Sequence, residues 1–314
     1  MIKYILKRIG YALLTILLLT GITFTMMHAL PGDPFMGAKE INPTTKAAMM
    51  RKYGLDKPLP EQFVIYVSNV AKGDFGISIK TNRPVSRIIG EAFPYSCELG
   101  IRAIIIAAIV GVALGAYAAI RRGKIGDTIA MLIAVIGVSV PSFIVAALLQ
   151  YFLGLKLGKV LGFQLFPITG WSTEASKILP SIALSFGTMA TLSRLMRTSM
   201  LDVLASDYIK TAKAKGLSEW TIIWKHALRN ACMPVVTVLG PTIAALLTGA
   251  FVVEKVFAIP GMGKFFVNAI NQQDYTLIAG TTIFYGVFLI ISILVVDILY
   301  GIIDPRIDVA GKKD

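Results

Sequence analysis

Residues whose types and spacing could do chemistry are few in this chain, and none completes a reactive set. IPGMGKF (259–265) resembles the end of a phosphate-binding loop. Its first glycine would fall at Ala258 and its final hydroxyl at Phe265, so the loop fails. His28 and His226 are isolated, and no nucleophile elbow or HExxH motif is present. Cys97 and Cys232 have no redox or zinc spacing. The reading is a chain without an active site of its own. Any energy it uses comes from another protein.

One polar stretch does stand out, SDYIKTAKAKGLSEWTIIWKHALRN (206–230), with five basic side chains and two acids. It sits in a chain that is 55% hydrophobic and 16% charged, with mean hydropathy +0.72. Soluble domains carry about 25% charged residues. A helix needs about 20 apolar residues to cross the hydrocarbon core. Six runs qualify: 9–30, 103–120, 128–153, 178–196, 233–257 and 276–303. The first is too long for a signal-peptide core, so it reads as a retained span.

The formal net charge is +13 over 314 residues. Nucleic acid would be one explanation, but topology explains it more simply. With the N-terminus inside, fifteen Lys and Arg fall on inner segments and four (Lys156, Lys159, Lys177, Lys264) on short outer ones. That asymmetry places both termini in the cytoplasm. The expected organisation is a first helix (1–30), an extracytoplasmic region (31–97), a five-helix core (98–303) with a cytoplasmic loop at 197–233, and a cytoplasmic tail (304–314). Within the outer region, a short amphipathic helix is expected over 61–71 after Pro58 and Pro60. A second is expected over 83–92, ended by Phe93-Pro94.

Within the core, Gly111 and Gly115 form a GxxxG whose simpler reading is close helix packing. Glu98 and Arg102 are four apart and suit an ion pair on one helix face. Pro141 falls midway through the third run between Ser139 and Ser142. A kinked helix with small polar residues can line a pathway, and it is also an ordinary packing device. Pro180, Pro234 and Pro241 are expected near helix ends or at breaks. Arg194, Glu254, Lys255 and Asp297 sit near the ends of runs, where snorkelling or a local partner would accommodate them. No chain of carboxylates crosses the membrane, which argues against a proton-driven pump.

The cassette reads as two helices and a corner. Ser206 is placed to cap the first helix, with Asp207 in its first turn and Lys213 and Lys215 in its last. Gly216 suits the left-handed position that stops it. Ser218 caps the second helix, and Leu217 is placed to pack on Ile222. Trp220, Ile223, Trp224, Ala227 and Leu228 share a helical face. One reading is an interfacial helix on anionic lipid. The slim segment around Ala212 and Ala214 offers lipid little apolar area, which favours insertion into a groove of a protein partner.

KTAKAKG resembles the EAA---G loop of ABC-transporter permeases, with Lys210, Thr211, Ala212 and Gly216 on the E, A, A and G positions. Lys210 and Thr211 depart from the general form, and the proline that usually follows comes late, at Pro234. The order LPGDP (30–34), YGLDKPL (53–59), GDFGIS (73–78), RPV (83–85), SDYIKTAKAKGL (206–217), FVVEKVFAIPGMG (251–263) and DILYGIIDPRI (297–307) is similar to the oligopeptide, dipeptide and nickel branch. Within it, the B-type permease subunits of oligopeptide importers are the nearest likeness. The resemblance implies an all-α, six-helix, type I importer permease in the bacterial inner membrane. It implies a second homologous permease, two cytoplasmic ATPases and an external peptide-binding protein as partners, besides the bilayer. ATP and Mg would bind the ATPases, with no cofactor on this chain. Ser206, Asp207, Tyr208, Lys210, Thr211, Ala212, Lys213, Ala214, Lys215, Gly216 and Leu217 would form the helix that couples to an ATPase. Ser139, Pro141 and Ser142 are the candidate pathway residues. Dipeptide or nickel import is the alternative within the family. An ion-coupled secondary transporter is the alternative outside it, but inverted repeats and midplane charges are not evident.

Overall fold

A computed structural model describes residues 2–29, 44, 48, 50, 51, 56–248 and 250–303. LPGDP (30–34), most of the outer segment before Asp56, and the tail 304–314 lie outside the described residues. Those described are helical almost throughout, with one isolated bridge between Ile77 and Pro84. They fall into two units, Met1–Ser96 with Gly261–Asp314, and Cys97–Pro260.

In the first unit, α1 (Ile2–Ala29) packs along α13 (Tyr275–Ile303), the helix that follows α12 (Met262–Gln272). Gly286 permits this contact, because a Cβ there would collide with the Leu19 side chain. The hydroxyls of Thr15, Thr20 and Thr25 donate to carbonyls four residues back, which hides them within α1. The expected amphipathic helix is α2 (Leu59–Ala71), with Pro60 in its first turn, where a missing N–H costs nothing. His28 Nε2 lies 3.0 Å from Gln62 Oε1, and Gln62 Nε2 donates to the Lys57 carbonyl at 2.7 Å, so α2 is tied to the end of α1.

Asp274 organises the far end of α13. It is 1% exposed. Its carboxylate accepts from the Leu277 N–H at 3.1 Å, capping the helix. It also accepts from Ser78 Oγ at 2.5 Å and from the Ile79 and Lys80 N–H groups. Removing the carboxylate strands several buried donors, at about 1–3 kcal/mol each. Asp274→Ala is therefore expected to free the 76–84 loop. Limited proteolysis in detergent should cut there in the variant and spare the parent.

Helix α3 (Val85–Ile120) continues straight through Pro94, so the expected stop at Phe93-Pro94 does not occur. Ile88, Ile89 and Ala92 are buried before the proline, and Phe93 packs edge-on against Phe284 and Phe288 at 5.0 and 4.9 Å. This packing outweighs the one backbone bond that proline forfeits. Pro180, Pro234 and Pro241 likewise lie inside helices rather than at breaks.

The second unit contains α4 (Ile125–Ser139), α5 (Ser142–Leu149), a π-turn (Gln150–Lys156) and α6 (Leu157–Leu161). Then come α7 (Glu174–Ala205), α8 (Asp207–Ala214), α9 (Glu219–Thr221), a second π-turn (Ile222–Ala227), α10 (Leu228–Thr248) and α11 (Phe251–Val256). Among the described residues, six helical stretches are long and apolar enough to span a membrane, as expected, but with different bounds. The third run is not one kinked span. Val140 and Pro141 are extended (ψ 123° and 140°) and separate α4 from α5. Proline disfavours helix in the residue before it, which decides between kink and break here. The fifth stretch begins at Glu219 and ends by Leu247, so Glu254 and Lys255 belong to the separate α11. Glu254 is fully buried there, so snorkelling does not account for it.

Two cores fill this unit. One surrounds Trp171, Leu179, Phe257 and Ile259. The other surrounds Met196, Met200, Ile209 and Ile222. Gly111 and Gly115 of α3 face α7, where an added Cβ at Gly111 would meet the Met189 carbonyl at 2.9 Å. The GxxxG is thus a packing seam between α3 and α7.

Candidate functional site

The cassette folds nearly as its residues suggest. Helix α8 ends with two crossed bonds, Gly216 N–H to the Lys213 carbonyl at 2.9 Å and Leu217 N–H to the Ala212 carbonyl at 3.3 Å. Gly216 sits at φ +77°, the left-handed conformation this double closure needs. Ser218 Oγ accepts from the Thr221 N–H at 3.3 Å and caps the following helix. Asp207 pairs with Lys210 at 2.8 Å in the first turn. The corner is thus closed by its own backbone.

Three details differ from expectation. Ser206 does not cap α8 with its side chain; its hydroxyl donates to the Val203 carbonyl at 2.5 Å and finishes α7 instead. Ala212 is buried with Ile209 against Met196 and Met200, so it packs on this chain. The outer face of the segment is Asp207, Tyr208, Lys210, Thr211, Lys213, Ala214, Lys215, Gly216 and Leu217. The third difference is the face of the next helix. Ile222 and Ala227 are buried, five residues apart, while Trp220 and Trp224 are 69% and 53% exposed. The π-turn inserts one residue and rotates the helical stripe, so of the five residues expected to share a face Ile223, Ala227 and Leu228 pack on the core and the two tryptophans do not. The Tyr208 hydroxyl accepts from Asn230 Nδ2 at 2.8 Å, tying α8 to α10.

Ser139 and Pro141 are exposed and Ser142 is half-buried, at the break between α4 and α5.

A buried ion pair was not legible in the sequence. Asp127, near the start of α4, is 5% exposed. Its two oxygens accept from Arg197 Nε at 2.6 Å and Nη2 at 2.7 Å, and Oδ2 also accepts from the Gly123 N–H at 3.0 Å. The Arg197 fork, with the Gly123 amide second, holds the Asp127 carboxyl down to about 2. It is therefore ionised throughout the neutral range. In the sequence Arg197 reads only as one of the fifteen basic residues of the inner segments. The available signal was an acid four residues after a glycine turn, at the mouth of an apolar helix.

The opposite end of the unit carries an open network. Glu98 pairs with Arg102 at 2.8 Å, as expected, and also with Lys177 at 3.0 Å and Trp171 Nε1 at 2.9 Å. Glu174 bridges Arg102 and Lys177. Among the described residues, no cluster of three or more His, Cys, Asp or Glu is arranged to hold a metal.

Residues 111–309 match the family model described as "Binding-protein-dependent transport system inner membrane component". Residues 1–100 match the N-terminal model of the same systems. The chain is 48% identical to the dipeptide transport system permease protein DppB of Bacillus subtilis, covering 99% of this chain and 100% of that one. It is 42% identical to the oligopeptide transport system permease protein OppB of Haemophilus influenzae, covering 98% and 99%. A chain of the inward-facing MetNI methionine ABC transporter shares the fold, with TM-score 0.53 and 17% identity over 69% of this chain and 94% of that one. The six apolar stretches, the all-helical fold and these matches agree: the chain belongs to the binding-protein-dependent transport system inner membrane components, the multi-pass permease subunits of ABC importers in the bacterial plasma membrane.

Proposed function

We propose that this chain is one of two permease subunits of an importer that takes up short peptides delivered by an external binding protein. Two cytoplasmic ATPases bind ATP and Mg and hydrolyse the nucleotide; this chain hydrolyses nothing. The observation that carries the reading is the rigid, outward-facing segment Asp207–Leu217, closed by its own hydrogen bonds between two spans. A segment that must transmit force gains from such closure, because little motion is lost in the joint. Asp207, Tyr208, Lys210, Thr211, Lys213, Ala214, Lys215, Gly216 and Leu217 form the face offered to an ATPase. Ser206 and Ala212 support it from within. Ser139, Pro141 and Ser142 form part of a pathway wall that the second permease completes.

The relatives named above support peptides as the solute. The 48% identity to a dipeptide permease favours dipeptides as a second reading beside longer peptides. The test is uptake of labelled di-, tri- and pentapeptides into proteoliposomes holding both permeases and both ATPases, with binding protein outside. Uptake that needs enclosed ATP and binding protein is expected. Uptake driven by an ion gradient without the ATPases would sink the proposal and favour a secondary transporter.

A further inference from the structure

Helix α7 and the α8 segment are joined by a single residue, Ser206, whose N–H and hydroxyl both bond the Val203 carbonyl. Ile209 and Ala212 of α8 are buried in the same core as Met196 and Met200 of α7. A displacement of α8 therefore carries the end of α7 with it. Arg197 lies on α7 roughly 12 Å before that end, at 1.5 Å per residue. There it grips Asp127 with two parallel bonds of 2.6 and 2.7 Å. The third bond to Asp127 comes from Gly123, which fastens the turn before α4 to the same carboxylate.

Further along, α4 meets α7 again. A Cβ on Gly137 would lie 2.6 Å from the Ala190 Cβ, so the two backbones are in close apposition. The two attachments are about 15 Å apart along α4, at 1.5 Å per residue. With both in place, α4 cannot slide along α7 without breaking the fork or losing the close fit at Gly137. Its far end is the exposed Ser139.

Burial of the carboxylate, with the arginine only partly exposed, makes the pair a poor device for stability alone. Desolvation offsets most of the attraction, and well-packed apolar pairs often replace buried ion pairs without loss. What a bidentate pair provides is register, since the planar fork accepts a carboxylate in one orientation. We propose that Asp127 and Arg197 are positioning residues for transport: they make α4 and α7 one lever, so that motion of the α8 segment reaches the wall at Ser139. The proposal rests on the coupling role given to α8 above.

The test uses the assembled importer in proteoliposomes, with ATP hydrolysis and dipeptide uptake measured on the same sample. Two variants are compared with the parent, Asp127→Leu with Arg197→Met, and Arg197→Lys. The double variant removes both charges and keeps apolar bulk. It is expected to assemble and hydrolyse ATP within about twofold of the parent, while peptide carried per ATP falls about tenfold, by the apolar-replacement argument. Arg197→Lys keeps the charge but loses the fork, with an expected fall of about threefold. An unchanged ratio in the double variant overturns the proposal. So does failure of that variant to assemble together with an unchanged ratio in Arg197→Lys; a fallen ratio in Arg197→Lys supports it. A parent importer with no ATP-dependent uptake would instead refute the function proposed for the chain.

Discussion

Replacing Gly216 by leucine is expected to leave the chain inserted and to cut ATP-coupled peptide uptake by about tenfold. The backbone at Gly216 is left-handed (φ +77°). For a residue with a Cβ this conformation costs about 1–2 kcal/mol. That is a factor of roughly 5–30 in the population of the formed corner. The two bonds that close α8 depend on it, through the Gly216 and Leu217 N–H groups. Among the described residues, no atom beyond its two chain neighbours lies within 4 Å of an added Cβ, so the effect there is conformational. Asparagine tolerates the left-handed region, so Gly216→Asn separates two causes. If Asn restores uptake, the turn matters. If Asn fails as badly as Leu, the lost space matters, and a partner packs there. Normal uptake and normal ATPase stimulation in the Leu variant would remove the coupling role altogether.

Gly115→Val is expected to be the most damaging single change to the fold of the second unit. A Cβ at Gly115 would overlap the Ser193 carbonyl and come within 2.7 Å of the Met196 Cβ. These are backbone and near-backbone atoms of α7, which cannot rotate aside. Overpacking of a tight site costs about 1–3 kcal/mol, and more where backbone must shift. The Arg197 N–H would lie 3.1 Å from the new atom, so the strain falls beside the ion pair as well. The measurement is the thermal unfolding midpoint in detergent, followed by Trp171, which is buried in the core around Leu179, Phe257 and Ile259. Gly10→Ala is the control, since among the described residues nothing outside its own helix backbone lies within 4 Å of its added Cβ. Helix propensity predicts no loss there and a gain of up to about 1 kcal/mol. A Gly115→Val protein as stable as its parent would mean that α3 and α7 do not meet along this seam.

The elements that local rules govern were readable. Apolar runs near 20 residues long announced the spans, because hydrocarbon accepts a helix only when nearly every side chain is apolar. Gly216 and Ser218 announced the corner, because left-handed backbone and helix caps are one-residue requirements. Prolines misled in both directions. Pro94 looked like a stop and is carried through by Phe93 and its aromatic neighbours, while Pro141 looked like a kink and divides two helices. A proline states which backbone bond is lost, and only packing states whether the helix survives the loss. The face of the helix after Gly216 is only partly legible for a related reason, since a π-turn changes the period that places Trp220 and Trp224.

The sequence by itself determined a six-span membrane helical protein with a capped polar corner between its fourth and fifth spans. Its motif order already resembled the permease family to which the chain belongs. Tertiary structure alone decided which side of that corner faces outward, burying Ala212 and exposing Ala214. It also decided the long-range polar contacts: Asp127 to Arg197, 70 residues away, and Asp274 to Ser78, 196 away. The physical reason is range. Caps, turns and hydrophobic periods are satisfied within a few residues and leave their mark in sequence, whereas a buried carboxylate is satisfied by whichever donor the packing of helices delivers to it.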